Sequence, residues 1–135
     1  MSQETIITTV RRFYPETQAV YLFGSYLTPD ETKKSDADIA ILLPPAPAKR
    51  VGGLAMSACR ASLEDALKRD VDLVNLRIVN TVFQKEVIEN GRLIFKRDEY
   101  AVDEFEMQVL SAYQKLNEER AGILEDIFTS GSILR

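Results

Sequence analysis

Two neighbouring stretches decide the fold: AVYLFGS (residues 19–25) and, ten residues later, DADIAILL (residues 36–43). Each contains a short apolar run rich in residues that favour β-structure, so each is predicted to form a buried strand. Gly24 and Ser25 end the first strand, and Asp36 and Asp38 open the second. The pattern therefore predicts a tight turn at the end of one strand, beside two carboxylates on one face of the next strand.

These residues suit the binding of a phosphate and a divalent cation. Gly24 lets the backbone turn sharply and approach a phosphate without a Cβ in the way, and Ser25 adds a hydroxyl and a main-chain N–H. Asp36 and Asp38 are two apart on a strand, so they share a face, and a bound cation would relieve their repulsion. Asp72 lies in a third apolar strand and could be a further metal ligand and a base. Each residue also has a purely structural alternative. Gly24 and Ser25 could simply end a strand, Asp36 could cap a turn, and Asp72 could start a strand at the edge of the sheet.

The remaining elements predict an α/β (α+β) fold with a small sheet of about four strands flanked by helices. Asn80 or Thr81 is expected to cap a short helix that ends at Gly91, in a left-handed conformation. The last helix is long and amphipathic, with a possible break near Gly122. The other predicted elements are helices over 3–14 and 49–68, strands over 71–76 and 92–95, and the long helix from about 98 to 128.

Composition narrows the chemistry. The chain has 135 residues, no histidine and one cysteine, Cys59, which excludes an internal disulfide and catalysis by a Ser-His-Asp or Cys-His arrangement. Carboxylate-only sites favour hard cations such as Mg²⁺.

The net charge of −4, with scattered lysines and arginines, argues against direct binding of nucleic acid. No apolar run is long enough for a membrane span and the N-terminus does not resemble a signal peptide, so a cytoplasmic location is expected.

The pattern Gly24-Ser25, Asp36-x-Asp38 and VDLV (residues 71–74) resembles that of the polymerase-β-like nucleotidyltransferases, over about residues 17–96. The short length and the segment IENGRLIF (residues 88–95) resemble the minimal nucleotidyltransferases, or MNT subgroup. The resemblance implies a mixed sheet, triphosphate contacts from Gly24 and Ser25, two Mg²⁺ ions bound by the paired acids, and activation of the acceptor by Asp72. Lys33 and Lys34 could assist with the triphosphate or simply be solvated.

Members of that subgroup commonly act as antitoxins beside a HEPN-domain ribonuclease, and some transfer AMP from ATP to a tyrosine of this partner. We therefore predict a minimal nucleotidyltransferase domain over residues 1–97 and a C-terminal helical extension over 98–135. The extension lies outside the region of resemblance and is expected to bind the partner, although its apolar stripe could equally belong to the core. Two alternatives stay open. The chain could neutralise its toxin by occlusion without catalysis, or it could modify a small molecule such as an aminoglycoside.

Overall fold

The computed structural model describes residues 2–24, 36–54 and 57–130, with residues 124–130 as helix backbone alone. In chain order the elements are α1 (Ser2–Phe13), β1 (Ala19–Phe23), β2 (Ala37–Leu42), α2 (Pro45–Val51), α3 (Ala58–Leu67), β3 (Val71–Asn75), α4 (Thr81–Asn90), β4 (Arg92–Lys96) and α5 (Glu99–Ser130). The four strands, the flanking helices and the long last helix confirm the predicted fold class.

The four strands form one mixed sheet in the spatial order β3-β2-β1-β4. β1 pairs antiparallel with both β2 and β4, whereas β2 pairs parallel with β3. A parallel pair requires a crossover connection, and α2 and α3 supply it. Because β2 and β3 run in the same direction, Asp38 and Asp72, the second residue of each strand, come to the same end of the sheet.

Side chains of the strands alternate between two apolar cores, one on each face of the sheet. α1 and α3 cover the first face, where the buried side chains include Ile6, Val10, Ile39, Ile41 and Leu63. α4 and α5 cover the second face, where the buried side chains include Tyr21, Ala40, Leu42, Val87 and Phe105. Asp38 lies two residues before Ala40 and therefore belongs to the second face.

The predicted single helix over 49–68 is wrong, because the segment forms the two helices α2 and α3. Gly52 ends α2 with φ +67°, a conformation that L residues other than glycine rarely adopt. Ser57 then caps α3, its hydroxyl oxygen accepting a hydrogen bond from the Arg60 N–H at 3.2 Å. Pro45 is the first residue of α2, where its missing N–H costs nothing.

Gly91 ends α4 as predicted, although it is extended (φ −80°) rather than left-handed. A Cβ at this position would lie 2.4 Å from the Val87 carbonyl oxygen and 3.0 Å from that of Leu22. The close approach of two backbone segments, and not a positive φ, therefore requires a glycine here. Asn80 is the N-cap of α4, its side chain accepting a hydrogen bond from the Phe83 N–H at 2.8 Å.

α5 is one continuous helix of 32 residues and has no break at Gly122. Its first turns pack on the sheet through Val102, Phe105 and Val109, which are buried. Residues 117–123 are all exposed. In the part of the chain that the structure describes, neither α5 nor any other helix combines the length and apolar character that crossing a bilayer requires.

Candidate active site

Asp38 and Asp72 lie directly opposite each other on two adjacent parallel strands. In this register both side chains project from the same face of the sheet. The Ala37 N–H donates a hydrogen bond to the Asp70 carbonyl at 2.9 Å, which aligns the starts of the two strands. Phe23 on β1 pairs with Asp38 from the other side. Phe23, Asp38 and Asp72 therefore form one row of side chains across three strands.

Gly24 follows this row as the turn at the end of β1, with φ +73°. A Cβ built on Gly24 would lie 2.1 Å from Asp38 Oδ2 and 3.1 Å from Asp38 Cγ. The carboxylate of Asp38 therefore rests against the Gly24 backbone, in space that any side chain at position 24 would occupy. Gly24 is needed both for the turn and for the position of the acid.

The surroundings of Asp38 disfavour the ionised form of its carboxyl group. Partial burial raises the pKa of the Asp38 carboxyl above its usual range, and the neighbouring charges of Asp72 and then Asp36 raise it further. Two of the predicted site residues thus act on the third through space. Such mutual repulsion favours either protonation of Asp38 or the binding of a cation between the carboxylates.

The site as it stands contains a pair of carboxylates rather than three converging ones. Within residues 2–24, 36–54 and 57–130, no three Asp, Glu, Cys or His side chains lie close enough together to hold a metal ion. Asp36 is exposed and precedes β2 by one residue. The carboxylate oxygens of Asp38 and Asp72 are donors of the kind that Mg²⁺ prefers, and the charge of Asp36 also acts on Asp38. A metal-binding role for Asp36 stays a prediction.

Three of the predicted residues lie outside the described residues: Ser25, Lys33 and Lys34. The structure therefore brings together Gly24, Asp38 and Asp72, with Asp36 beside them.

A match to known proteins agrees with this geometry. Residues 4–100 match the family model described as "Polymerase beta, Nucleotidyltransferase". The chain is a member of the polymerase-β nucleotidyltransferase family. This membership confirms the resemblance identified from the acidic pattern.

Relatives of this nucleotidyltransferase match nearly its whole length. It is 34% identical over 131 residues to the protein adenylyltransferase MntA of Shewanella oneidensis, covering 96% of this chain and 90% of MntA. A crystal structure of a toxin–antitoxin with AMP-PNP matches with TM-score 0.73 and 31% identity, covering 95% of this chain and 99% of that one. A structure of tri-AMPylated Shewanella oneidensis HEPN toxin in complex with MNT antitoxin matches with TM-score 0.67 and 31% identity, covering 94% and 96%.

An aromatic pair borders the acids of this nucleotidyltransferase. The rings of Phe23 and Phe83 meet edge to face, with centroids 5.6 Å apart. Phe83 lies in the first turn of α4 and joins the core of the second face. Because Phe23 pairs with Asp38, Phe83 comes close to the acids, and no local pattern in the sequence signals this proximity.

A hydrogen bond ties α5 to the same face of the nucleotidyltransferase. The hydroxyl of Tyr21, which is buried, donates to Glu106 Oε2 at 2.7 Å. Burial raises the pKa of the Tyr21 hydroxyl strongly, and this hydrogen bond and the charge of Glu106 raise it further, so Tyr21 stays a donor. Tyr21 is two residues before Phe23 on the same strand face, so α5 is anchored one row of side chains away from Asp38.

Proposed function

We propose that this chain is a Mg²⁺-dependent protein adenylyltransferase and an antitoxin, which transfers AMP from ATP to a tyrosine hydroxyl of a partner HEPN ribonuclease and so neutralises it. The observation that carries the chemistry is the pairing of Asp38 with Asp72 beside Gly24. The similarity over 96% of the chain to a protein adenylyltransferase supports the choice of acceptor. The reaction would take place in the cytoplasm, where ATP and a ribonuclease partner meet.

Each residue of the pair has a different environment and a different proposed role. Asp72 is exposed, so an incoming hydroxyl can reach it, and it takes the proton as the acceptor oxygen attacks the α-phosphorus. The bond between the α-phosphorus and the oxygen bridging to the β-phosphorus breaks, and pyrophosphate leaves. Asp38 is partly buried against the Gly24 backbone and is therefore the better fixed of the two carboxylates. Contacts of Gly24 and Ser25 with the triphosphate are proposed, since the family resemblance implies them.

Magnesium bound by Asp38 and Asp72, with Asp36 as a third ligand, would offset the charge of the triphosphate in the transition state. Two ions are proposed, since the family resemblance implies two. Partial burial and the charges of Asp72 and Asp36 raise the pKa of Asp38. A bound cation would offset these effects and favour the ionised carboxylate, so the raised pKa supports a cation site here.

We also propose that residues 98–135 bind the partner. The first turns of α5 present two large apolar side chains to solvent, Tyr100 at 77% and Met107 at 69% exposure. Together with Asp103 and Glu104 they form one exposed face of α5. Apolar groups exposed beside acids are typical of a surface that a second protein covers.

The test is transfer of labelled AMP to the purified partner, with the full chain and Mg²⁺. Asp38→Asn and Asp72→Asn are each expected to reduce labelling at least 100-fold and to leave the circular dichroism spectrum unchanged. Asp70→Asn is the matched control, because Asp70 lies two residues from Asp72 and does not contribute to the pKa of Asp38. Equal losses for Asp70→Asn and Asp72→Asn would contradict the assignment of Asp72.

The alternative is neutralisation by occlusion, which the apolar groups exposed on α5 favour. A chain carrying both Asp38→Asn and Asp72→Asn separates the two mechanisms. If it no longer protects cells from the toxin while still binding the toxin, catalysis is required. If it protects as well as the unmodified chain, binding suffices and the acids serve another purpose.

A further inference from the structure

A cavity lies at the end of the sheet opposite the acids. Its lining includes Pro45 and Ala48, which follow β2, and Arg77, which follows β3. Asp38 and Asp72 are at the other ends of these two strands, and β2 alone extends about 13 Å beyond Asp38. The cavity has a volume of about 410 Å³, within the range of small-molecule sites. It is therefore distinct from the proposed catalytic site.

The charged side chains that line this cavity, among the described residues, are Lys49 and Arg77, and both are cationic. This is unusual for a chain whose net charge is −4. Lys49 lies in the last turn of α2 and is exposed. Glu104 lies near enough to Arg77 to influence its pKa, yet it does not line the cavity. The local charge therefore favours an anion.

Arg77 is held in place before any ligand arrives. Its Nε donates to the Leu43 carbonyl, its Nη2 donates to Gln18 Oε1 at 2.8 Å, and its Cζ lies 5.2 Å from the centre of the Phe105 ring. Since a guanidinium has five N–H donors, these two hydrogen bonds leave others for a ligand. A cation fixed in this way loses little conformational entropy on binding.

The rest of the lining combines apolar surface with two amides. Phe105, Val109 and Ala112 come from α5, whereas Gln84 comes from α4. Gln84 Nε2 donates to the Leu76 carbonyl at 2.9 Å, which leaves its Oε1 as the atom available to a ligand. Gln108 is exposed on α5 and adds a second amide.

We propose that this cavity is a second ligand site, for a small organic anion with a flat apolar body. The phosphate or carboxylate would lie between Lys49 and Arg77, and the body would lie against Phe105 with its polar edge at the amides of Gln84 and Gln108. A nucleoside monophosphate and an aromatic carboxylate both have this chemistry.

The experiment follows amide chemical shifts of the full chain in excess EDTA, which removes the cations that the acidic end would need. The probes are AMP, indole-3-carboxylate, adenosine and inorganic phosphate. AMP or indole-3-carboxylate is expected to shift the amides of Ala48, Arg77 and Val109. The probe that binds more tightly shows whether the site prefers a nucleoside monophosphate or an aromatic carboxylate. Adenosine and inorganic phosphate are expected to bind at least tenfold more weakly, because each lacks one half of the recognised chemistry.

Two variants at exposed positions test the location. Lys49→Glu is expected to weaken binding of the better probe at least fivefold, and Ala112→Phe, which fills the cavity, at least tenfold. Lys115→Glu makes the same charge change elsewhere on exposed α5 and is expected to leave affinity unchanged. The proposal is overturned if shifts appear only near Gly24 and Asp38, if neither anion binds, if phosphate alone binds as well as AMP, or if both lysine variants weaken binding equally.

Discussion

Replacing Gly24 with alanine separates the two reasons for a glycine at this turn. The first is the backbone, because φ is +73°, where an L residue costs about 1–2 kcal/mol. The second is the acid, because the new Cβ would lie 2.1 Å from Asp38 Oδ2, and such contacts need at least 3.0 Å. The carboxylate must therefore move by about 1 Å.

Stability and activity are expected to respond differently to Gly24→Ala. The backbone strain lowers the melting temperature by roughly 3–8 °C. The Asp38 side chain can rotate away at little further cost, but it then leaves the place opposite Asp72. Since displacements of this size reduce rates by about 100-fold, kcat/KM for AMP transfer is expected to fall by at least that factor. The Mg²⁺ concentration that gives half-maximal activity is also expected to rise.

Gly52→Ala is the matched control. Gly52 also has a positive φ, +67°, but a Cβ there meets nothing within 4 Å. Gly52→Ala should therefore lower the melting temperature and leave kcat/KM within about threefold of the value for the unmodified chain. The reasoning is refuted if Gly24→Ala loses stability yet retains its activity, or if Gly52→Ala loses as much activity as Gly24→Ala.

Three further substitutions test the fold and the electrostatics by thermal unfolding. Asp38→Asn is expected to raise the melting temperature by a few degrees at pH 7–8, because the raised pKa of Asp38 means that its ionised form opposes folding; this gain should vanish as the pH falls below about 3.9, the ordinary pKa of an aspartate, where the carboxyl is protonated in both the folded and the unfolded chain. A gain that persists in acid would contradict this explanation. Gly91→Ala should cost about 2 kcal/mol, since its Cβ would lie 2.4 Å from the Val87 carbonyl oxygen; a neutral result would mean that the backbone shifts freely there. Tyr21→Phe should cost about 1–2 kcal/mol by removing the hydrogen bond to Glu106, with AMP transfer retained, and an unchanged melting temperature would count against this anchor of α5.

The sequence was sufficient to predict the strands and the shared face of the acids, because both depend on short-range patterns. Alternation along β2 places Asp38 on the face of Ala40 and opposite to Ile39, and the structure agrees. The register between Asp38 and Asp72 could not be derived in this way. It depends on a crossover of some thirty residues, and no local pattern fixes how far β3 slides along β2.

Two expectations were wrong, for different physical reasons. The apolar positions of residues 49–68 keep helical spacing across Gly52, so periodicity alone could not reveal the break between α2 and α3. At Gly91 the expected left-handed conformation was wrong, because the residue is extended and a Cβ there would meet the carbonyl oxygens of Val87 and Leu22. At Gly52 a Cβ would meet nothing within 4 Å, so the positive φ alone favours a glycine there.

The electrostatics of Asp38 favour a functional role over a structural one. A structural carboxylate near a core is usually paired with a cation or held by N–H donors. Within residues 2–24, 36–54 and 57–130, no ion pair joins Asp38 to a lysine or arginine, and the nearest charges that act on it are those of Asp72 and Asp36. Partial burial and the charges of Asp72 and Asp36 raise the pKa of Asp38, so its ionised form opposes folding. A bound divalent cation would remove this destabilising effect. Carboxylates that oppose folding in this way are expected where a protein binds a cation.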